Sequence, residues 1–193
     1  MINVRLLAAA VLVGAVATRS LGQDAQDAAR QAALADFGRG VQAYSDLHHL
    51  AALTVPGLRV TTDVGEIHHA SDALAAAIRT ARPGARQGDI FPPAIAAVVR
   101  AAVGSGCQDD YAELLALVTE ELEGPLPAPA IHARWPMGAP LPTMPPDLLA
   151  ALPRLPQGLE YRFVNRDLVL LDIDANLIVD FVPNAIPSST SPL

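Results

Sequence analysis

Apolar residues recur at three- and four-residue spacing through the first part of the chain, a pattern that predicts amphipathic helices. One helix is predicted over 23–53, where the apolar stripe holds Leu34, Phe37, Val41, Tyr44, His48 and Ala51. A second begins at Asp63, which has the spacing of a capping box with Glu66, and Pro83-Gly84 ends it. The two stripes predict contacts between these helices through Phe37, Val41, Tyr44, Ile67, Leu74 and Ile78.

Two further helices are predicted before the pattern changes. Pro92-Pro93 opens the third, and the fourth begins at about Asp109. Four helices joined by short loops predict a small bundle. Between 124 and 158 ten prolines exclude long helices and strands, although a short helical turn fits at Asp147–Leu152. The segment also carries apolar residues that predict packing on the helices or part of a binding surface, among them Trp135, Met137 and Met144.

The last part of the chain alternates with period two, which predicts three short strands at 159–164, 167–173 and 177–182. The short turns between them predict an antiparallel meander with the second strand in the middle. In the third strand Leu177, Val179 and Phe181 are expected to share one face. The predicted fold class is therefore α+β. It divides into a helical region at 23–123, a proline-rich segment at 124–158 packed on the helices, the meander at 159–183 and a loose tail at 184–193.

The first 22 residues have the layout of a secretory signal peptide. Arg5 gives a positive start, an apolar run extends from Leu6 to Ala17, and small residues precede Gln23. This run is shorter than the roughly 20 residues that a membrane-spanning helix needs. We therefore expect cleavage before Gln23, export to the periplasm or beyond, and no membrane span afterwards. Cleavage after Ala17 and an uncleaved N-terminal anchor are the alternatives.

Charge and composition exclude several classes of function. The chain has 13 basic residues, all arginine, against 20 acidic ones, and a net charge of −7. Such a balance argues against a general nucleic-acid surface. The single Cys107 cannot form an internal disulfide. The sequence contains neither Gly-x-Ser-x-Gly nor His-Glu-x-x-His, so we assign no catalytic residue and no cofactor.

Paired histidines are the candidates for a metal site. Asp46 with His49, and Glu66 with His69, have the acid-x-x-His spacing that can ligate one metal from a helix. Both pairs fall largely outside the apolar stripes, which favours solvated helix faces over a buried metal centre. His48 differs because it lies on the stripe. We expect it at the edge of the core, bonded to a backbone carbonyl or an acid.

Three arginines are the candidates for an anion site. Arg79, Arg82 and Arg86 precede Asp89 and could together hold a carboxylate or phosphate. The alternative is that they complement the helix dipole and pair with Asp89.

Two resemblances bear on the class of protein. The runs 158–164, 167–172 and 176–180 resemble the C-terminal strands of small periplasmic proteins of the nickel and cobalt homeostasis family, which implies a periplasmic β module. The run Gly88-Asp-Ile-Phe-Pro92 and the ending Leu177-Ile-Val-Asp-Phe-Val-Pro183 resemble uncharacterised exported bacterial proteins of acidobacterial type. The second resemblance implies export and the α+β architecture, and it implies no activity.

The sequence thus favours an exported, non-catalytic protein that binds a protein partner or the cell envelope. The alternative is a periplasmic metal-handling protein that uses the paired histidines. A small hydrolase is a third hypothesis, which the missing motifs disfavour.

Overall fold

Helices in the N-terminal part and a three-stranded antiparallel sheet at the C-terminus make up the fold, so the predicted α+β class is confirmed. The computed structural model describes residues 5–57, 61–106, 127–135 and 144–186, with the side chains of the first helix described from residue 22. The helices in these ranges are α1 Arg5–Ala52, α2 Val64–Ala81, α3 Pro93–Gly106 and α4 Pro146–Ala151. The sheet has the order β1-β2-β3, with β1 Leu159–Val164, β2 Asp167–Asp172 and β3 Leu177–Val182.

The helix boundaries follow local sequence signals, with one departure from prediction. α1 begins at Arg5 and not near Gln23, since its alanine- and leucine-rich start favours helix and contains no proline. The fourth helix predicted from Asp109 lies outside the described residues, as do Cys107 and Met137. The short helical turn expected at 147–152 is present as α4. None of the described helices is long and apolar enough to cross a membrane.

One cluster of buried side chains joins the helices to the sheet. α1 contacts α2 and α3, and α3 contacts α4. At the centre the ring of Phe37 on α1 stacks on Phe91, with 5.3 Å between ring centroids, and Phe91 lies 6.4 Å from Tyr161 on β1. Each of these rings is almost completely buried. The three aromatic residues therefore tie α1, the segment before α3 and the first strand into one core.

A β-bulge interrupts the regular alternation of β3. The register shifts between Leu170, which pairs with Asp180, and Leu171, which pairs with Ile178, so Val179 is the extra residue. Leu177, Val179 and Val182 consequently pack in the helix-facing core, while Ile178 and Phe181 belong to the cluster that includes Trp135. The prediction that Phe181 shares a face with Leu177 and Val179 is wrong, because alternation assumes an unbroken register.

The start of the described proline-rich segment runs along the edge of β3. The His132 amide donates to the carbonyl of Ile178, and the Ile178 amide donates to the carbonyl of Ala133. Trp135 follows directly and is 4% exposed, and Met144, where the described chain resumes, is 7% exposed. Trp135 and Met144 are thus core residues, and they do not provide the binding surface that the sequence suggested.

Candidate functional site: the cleft at His48

A carboxylate without solvent exposure lies at the end of β2. Period-two alternation points Asp172 toward the helices, on the same side as Leu168 and Leu170. Its Oδ2 accepts a hydrogen bond from the Tyr44 hydroxyl at 2.7 Å and lies 2.6 Å from Nδ1 of His48. Its Oδ1 accepts from the Ala175 amide at 2.9 Å. These partners satisfy a charge whose burial would otherwise be costly.

Helical spacing brings the two side-chain partners to the same oxygen, because Tyr44 and His48 are four residues apart on α1. The hydrogen bond to Asp172 raises the pKa of His48 above its usual value, and the charge of Asp174 adds to this while partial burial opposes it. Burial and the neighbouring Asp172 raise the pKa of Tyr44 far above its usual range. Tyr44 therefore stays a neutral donor. The carboxylate favours the protonated ring of His48, in which Nδ1 donates to Asp172 and Nε2 also carries a hydrogen.

The other ring nitrogen of His48 lies beside a cleft. Nε2 is 3.9 Å from Oδ2 of Asp174, whose side chain is 61% exposed. The cleft has a volume of about 450 Å³ and lies between the end of α1, the first half of α2 and the β2–β3 turn. Its walls are mainly apolar, with Ala52, Val55, Ile67, Ala70, Leu74 and Ile173 among them. This combination of apolar walls and a few polar groups is typical of small-molecule sites.

Further polar groups at the cleft are fixed by contacts of their own. Arg134 pairs with Asp72 and donates to the Ser71 hydroxyl at 3.2 Å. The side-chain amide of Asn176 donates through Nδ2 to the main-chain carbonyl of Trp135 at 3.2 Å. These contacts join α2 and the proline-rich segment around the cleft, so its polar groups are held in place before any ligand binds.

One residue expected between α1 and α2 instead lines this cleft. Ile67 is 39% exposed, whereas the other predicted contact residues Phe37, Val41, Tyr44, Leu74 and Ile78 are buried. The physical reason is its position in the first turn of α2, where the cleft separates that turn from α1.

The predicted metal candidates lie on exposed helix faces. Asp46 and His49 are exposed on α1, and Glu66 and His69 are exposed on α2. Asp46 accepts a hydrogen bond from the Gln42 side chain at 2.8 Å. Within the described ranges, no three His, Cys, Asp or Glu side chains come close enough together to hold a metal ion.

Two of the three candidate anion-binding arginines contact main-chain oxygens. Arg79 donates to the carbonyl of His132 at 3.0 Å, and Arg82 donates to that of Val179 at 3.3 Å. Arg82 also lies 3.7 Å from Asp89 and above the Tyr44 ring. Arg86 is exposed, and its backbone amide donates to Asp89 at 2.8 Å. Arg79 and Arg82 thus tie the last turn of α2 to the sheet and its edge segment.

A second fully buried carboxylate, Asp180, has a different environment. Its oxygens accept hydrogen bonds from the amides of Gly88, Ile90 and Phe91 at 2.7 to 2.8 Å, and from its neighbour Phe181 at 2.8 Å. Gly88 has φ of 92°, a conformation that glycine adopts without strain. The bulge in β3 directs Asp180 toward the segment before α3. The hydrogen bonds of Asp180 therefore connect the run 88–92 with the run 177–183.

Sequence reasoning anticipated His48 at the core edge bonded to an acid or a carbonyl, and the structure supplies the acid, Asp172. Asp172, Asp174 and Tyr44 were missed as site residues. The available signal was Asp172 itself, a charged residue that by alternation shares a face with Leu168 and Leu170 in β2. No protein-family model matches the chain, and no curated protein or solved structure is detectably similar to it.

Proposed function

We propose that this protein is an exported, non-catalytic binding protein whose partner or ligand enters the cleft at His48. The observation that carries the proposal is the cleft of about 450 Å³, which combines apolar walls with prearranged polar groups at its base. Ile67 and Ile173 line it while remaining 39% and 44% exposed. Their apolar surface would be removed from water when a ligand binds, which favours binding.

Other exposed apolar side chains lie on the helices that border the cleft or directly after them. Leu50 and Leu53 lie at the end of α1 and are 64% and 70% exposed, and Val64 at the start of α2 is 61% exposed. Apolar side chains that stay exposed on these elements favour contact with a partner. They add to the support from the cleft, whose walls include Ile67 and Ile173.

Filling the cleft provides the test. Ala70 lines the cleft, and Ala76 is exposed on the same helix away from it. We expect Ala70→Trp to abolish binding of a hydrophobic fluorescent dye and Ala76→Trp to leave it unchanged, with both variants melting like the wild type. Equal dye binding by all three proteins would contradict the proposal.

Export is proposed from the N-terminal sequence alone. We expect mass spectrometry of the protein recovered from the extracytoplasmic fraction to find a chain that begins at Gln23. Recovery of a chain that still begins at Met1 in a membrane fraction would support the anchor alternative instead.

Hydrolysis is a second candidate function, favoured by one observation. A histidine whose Nδ1 is held by a buried carboxylate can act as a general base through Nε2 once the pH exceeds its raised pKa. If the cleft is hydrolytic, His48→Gln should abolish turnover of a p-nitrophenyl ester, while His69→Gln on exposed α2 surface should not. Equal turnover by both variants and the wild type would exclude this role for that class of ester.

A further inference from the structure

We propose that the cleft binds a neutral amphipathic molecule, with an apolar body against its walls and a hydroxyl or primary amide between His48 and Asp174. This inference rests on the proposed binding function and specifies the chemistry of the ligand. It follows from the spacing of two polar atoms, from the balance of charges around them, and from the apolar walls.

Two polar atoms at the cleft, one on His48 and one on Asp174, leave room for a third between them. Nε2 of His48 and Oδ2 of Asp174 are 3.9 Å apart, which is too far for a direct hydrogen bond. An oxygen placed at ordinary hydrogen-bond distance from both, about 2.8 Å, fits between them. A hydroxyl in that position accepts from the protonated Nε2 of His48 and donates to the Asp174 carboxylate. A primary amide can make the same two bonds through its oxygen and its nitrogen.

The charges around this position favour a neutral group. Protonated His48 is balanced by buried Asp172, and Arg134 is balanced by Asp72. The charge of Asp174 then remains, on the side of the cleft where the polar end of a ligand would lie. An anionic group would be repelled by this carboxylate and has no hydrogen to donate to it. An ammonium group could donate to Asp174 but has no acceptor for the Nε2–H of protonated His48. A neutral hydroxyl or primary amide supplies both an acceptor and a donor, so it matches both partners.

The walls determine the rest of the ligand. Val55, Ile67, Leu74 and Ile173 present hydrocarbon to the cleft. A volume of about 450 Å³ is within the range of small-molecule sites. An alkyl chain or a compact ring system can therefore lie against these side chains while its polar end reaches His48.

Three probes that share one alkyl chain test the inference on the full chain. We would measure displacement of the hydrophobic dye at pH 6 by 1-octanol, octanoate and octylammonium. We expect octanol to bind about tenfold more tightly than either charged probe. In the variant Asp174→Asn the repulsion of an anion is removed, so the ratio of the octanoate to the octanol Kd should fall about tenfold.

The outcomes separate this inference from the proposed function. Tightest binding of octanoate or of octylammonium to the wild type would overturn the inference and leave a binding cleft in place. If Ala70→Trp blocks dye binding but none of the three probes displaces the dye from the wild type, the inference is also overturned and the binding cleft remains. A dye that binds equally to the Ala70→Trp variant would overturn both.

Discussion

The two aspartates buried in the sheet differ in what satisfies them. Asp180 and Asp172 both face the helices with no solvent exposure. All the hydrogen bonds found for Asp180 come from main-chain amides, and those amides cannot change their protonation state. Asp172 is held by Tyr44 and His48 as well as by one amide. Asp180 is therefore a fixed structural acceptor, whereas Asp172 belongs to a network that can respond to protons and ligands.

Replacing Asp180 should give the largest effect on stability. Asp180→Ala leaves the amides of Gly88, Ile90 and Phe91 without their acceptor, and two of these bonds are buried. We expect the free energy of unfolding to fall by about 3–5 kcal/mol, measured by urea denaturation. Asp167→Ala is the matched control, since Asp167 accepts from the exposed amide of Asn184 and should cost about 0.5–1.5 kcal/mol. Equal losses of unfolding free energy in the two variants would contradict the role of Asp180 as a buried structural acceptor.

Neutralising Asp172 should have a smaller effect on stability and a direct effect on His48. Asp172→Asn keeps the shape of the side chain but weakens its bonds to Tyr44 and His48, so we expect a loss of about 1–3 kcal/mol. The pKa of His48, followed by NMR, should fall because its hydrogen bond to a charged acceptor is the main cause of its elevation. Asp174→Asn should lower that pKa less. The reverse order would show that the solvent-facing carboxylate controls His48.

The sequence predicted the elements of this fold better than it predicted the site. Helices and strands follow from periodicity, which is local. The bulge at Val179 does not follow from periodicity. Ile178 and Val179 are both apolar, so the pattern does not show which of them is the unpaired residue of the bulge. Asp172 bonds residues 128 and 124 positions away, and Asp180 bonds amides about 90 positions away. Such partners are far apart in the sequence and meet only when the chain is folded. The apolar stripe of α1 therefore predicted the position of His48 at the core edge, but it could not identify the acid that His48 bonds.

The pH dependence of stability gives the smallest and most specific test of the comparison, because Asp172 is linked to a titrating partner and Asp180 is not. The pKa of His48 is raised in the folded protein above the usual 6.5, chiefly by its hydrogen bond to Asp172. Its contribution to stability is therefore complete below pH 6.5 and is lost as pH rises through the raised value. For one proton the slope cannot exceed about 1.4 kcal/mol per pH unit.

A second histidine provides the opposite slope as an internal control. Burial, followed by the charges of Arg82 and Arg79, lowers the pKa of His132 below 6.5, so its contribution is complete above pH 6.5 and is lost as pH falls. We would measure the free energy of unfolding from pH 5 to 9. His48→Gln should flatten the decline above pH 6.5, and His132→Asn, which tolerates the positive φ of 62°, should flatten the decline below it. A decline above pH 6.5 that persists unchanged in His48→Gln would show that Asp172 and His48 are not linked to folding in the way their 2.6 Å contact implies.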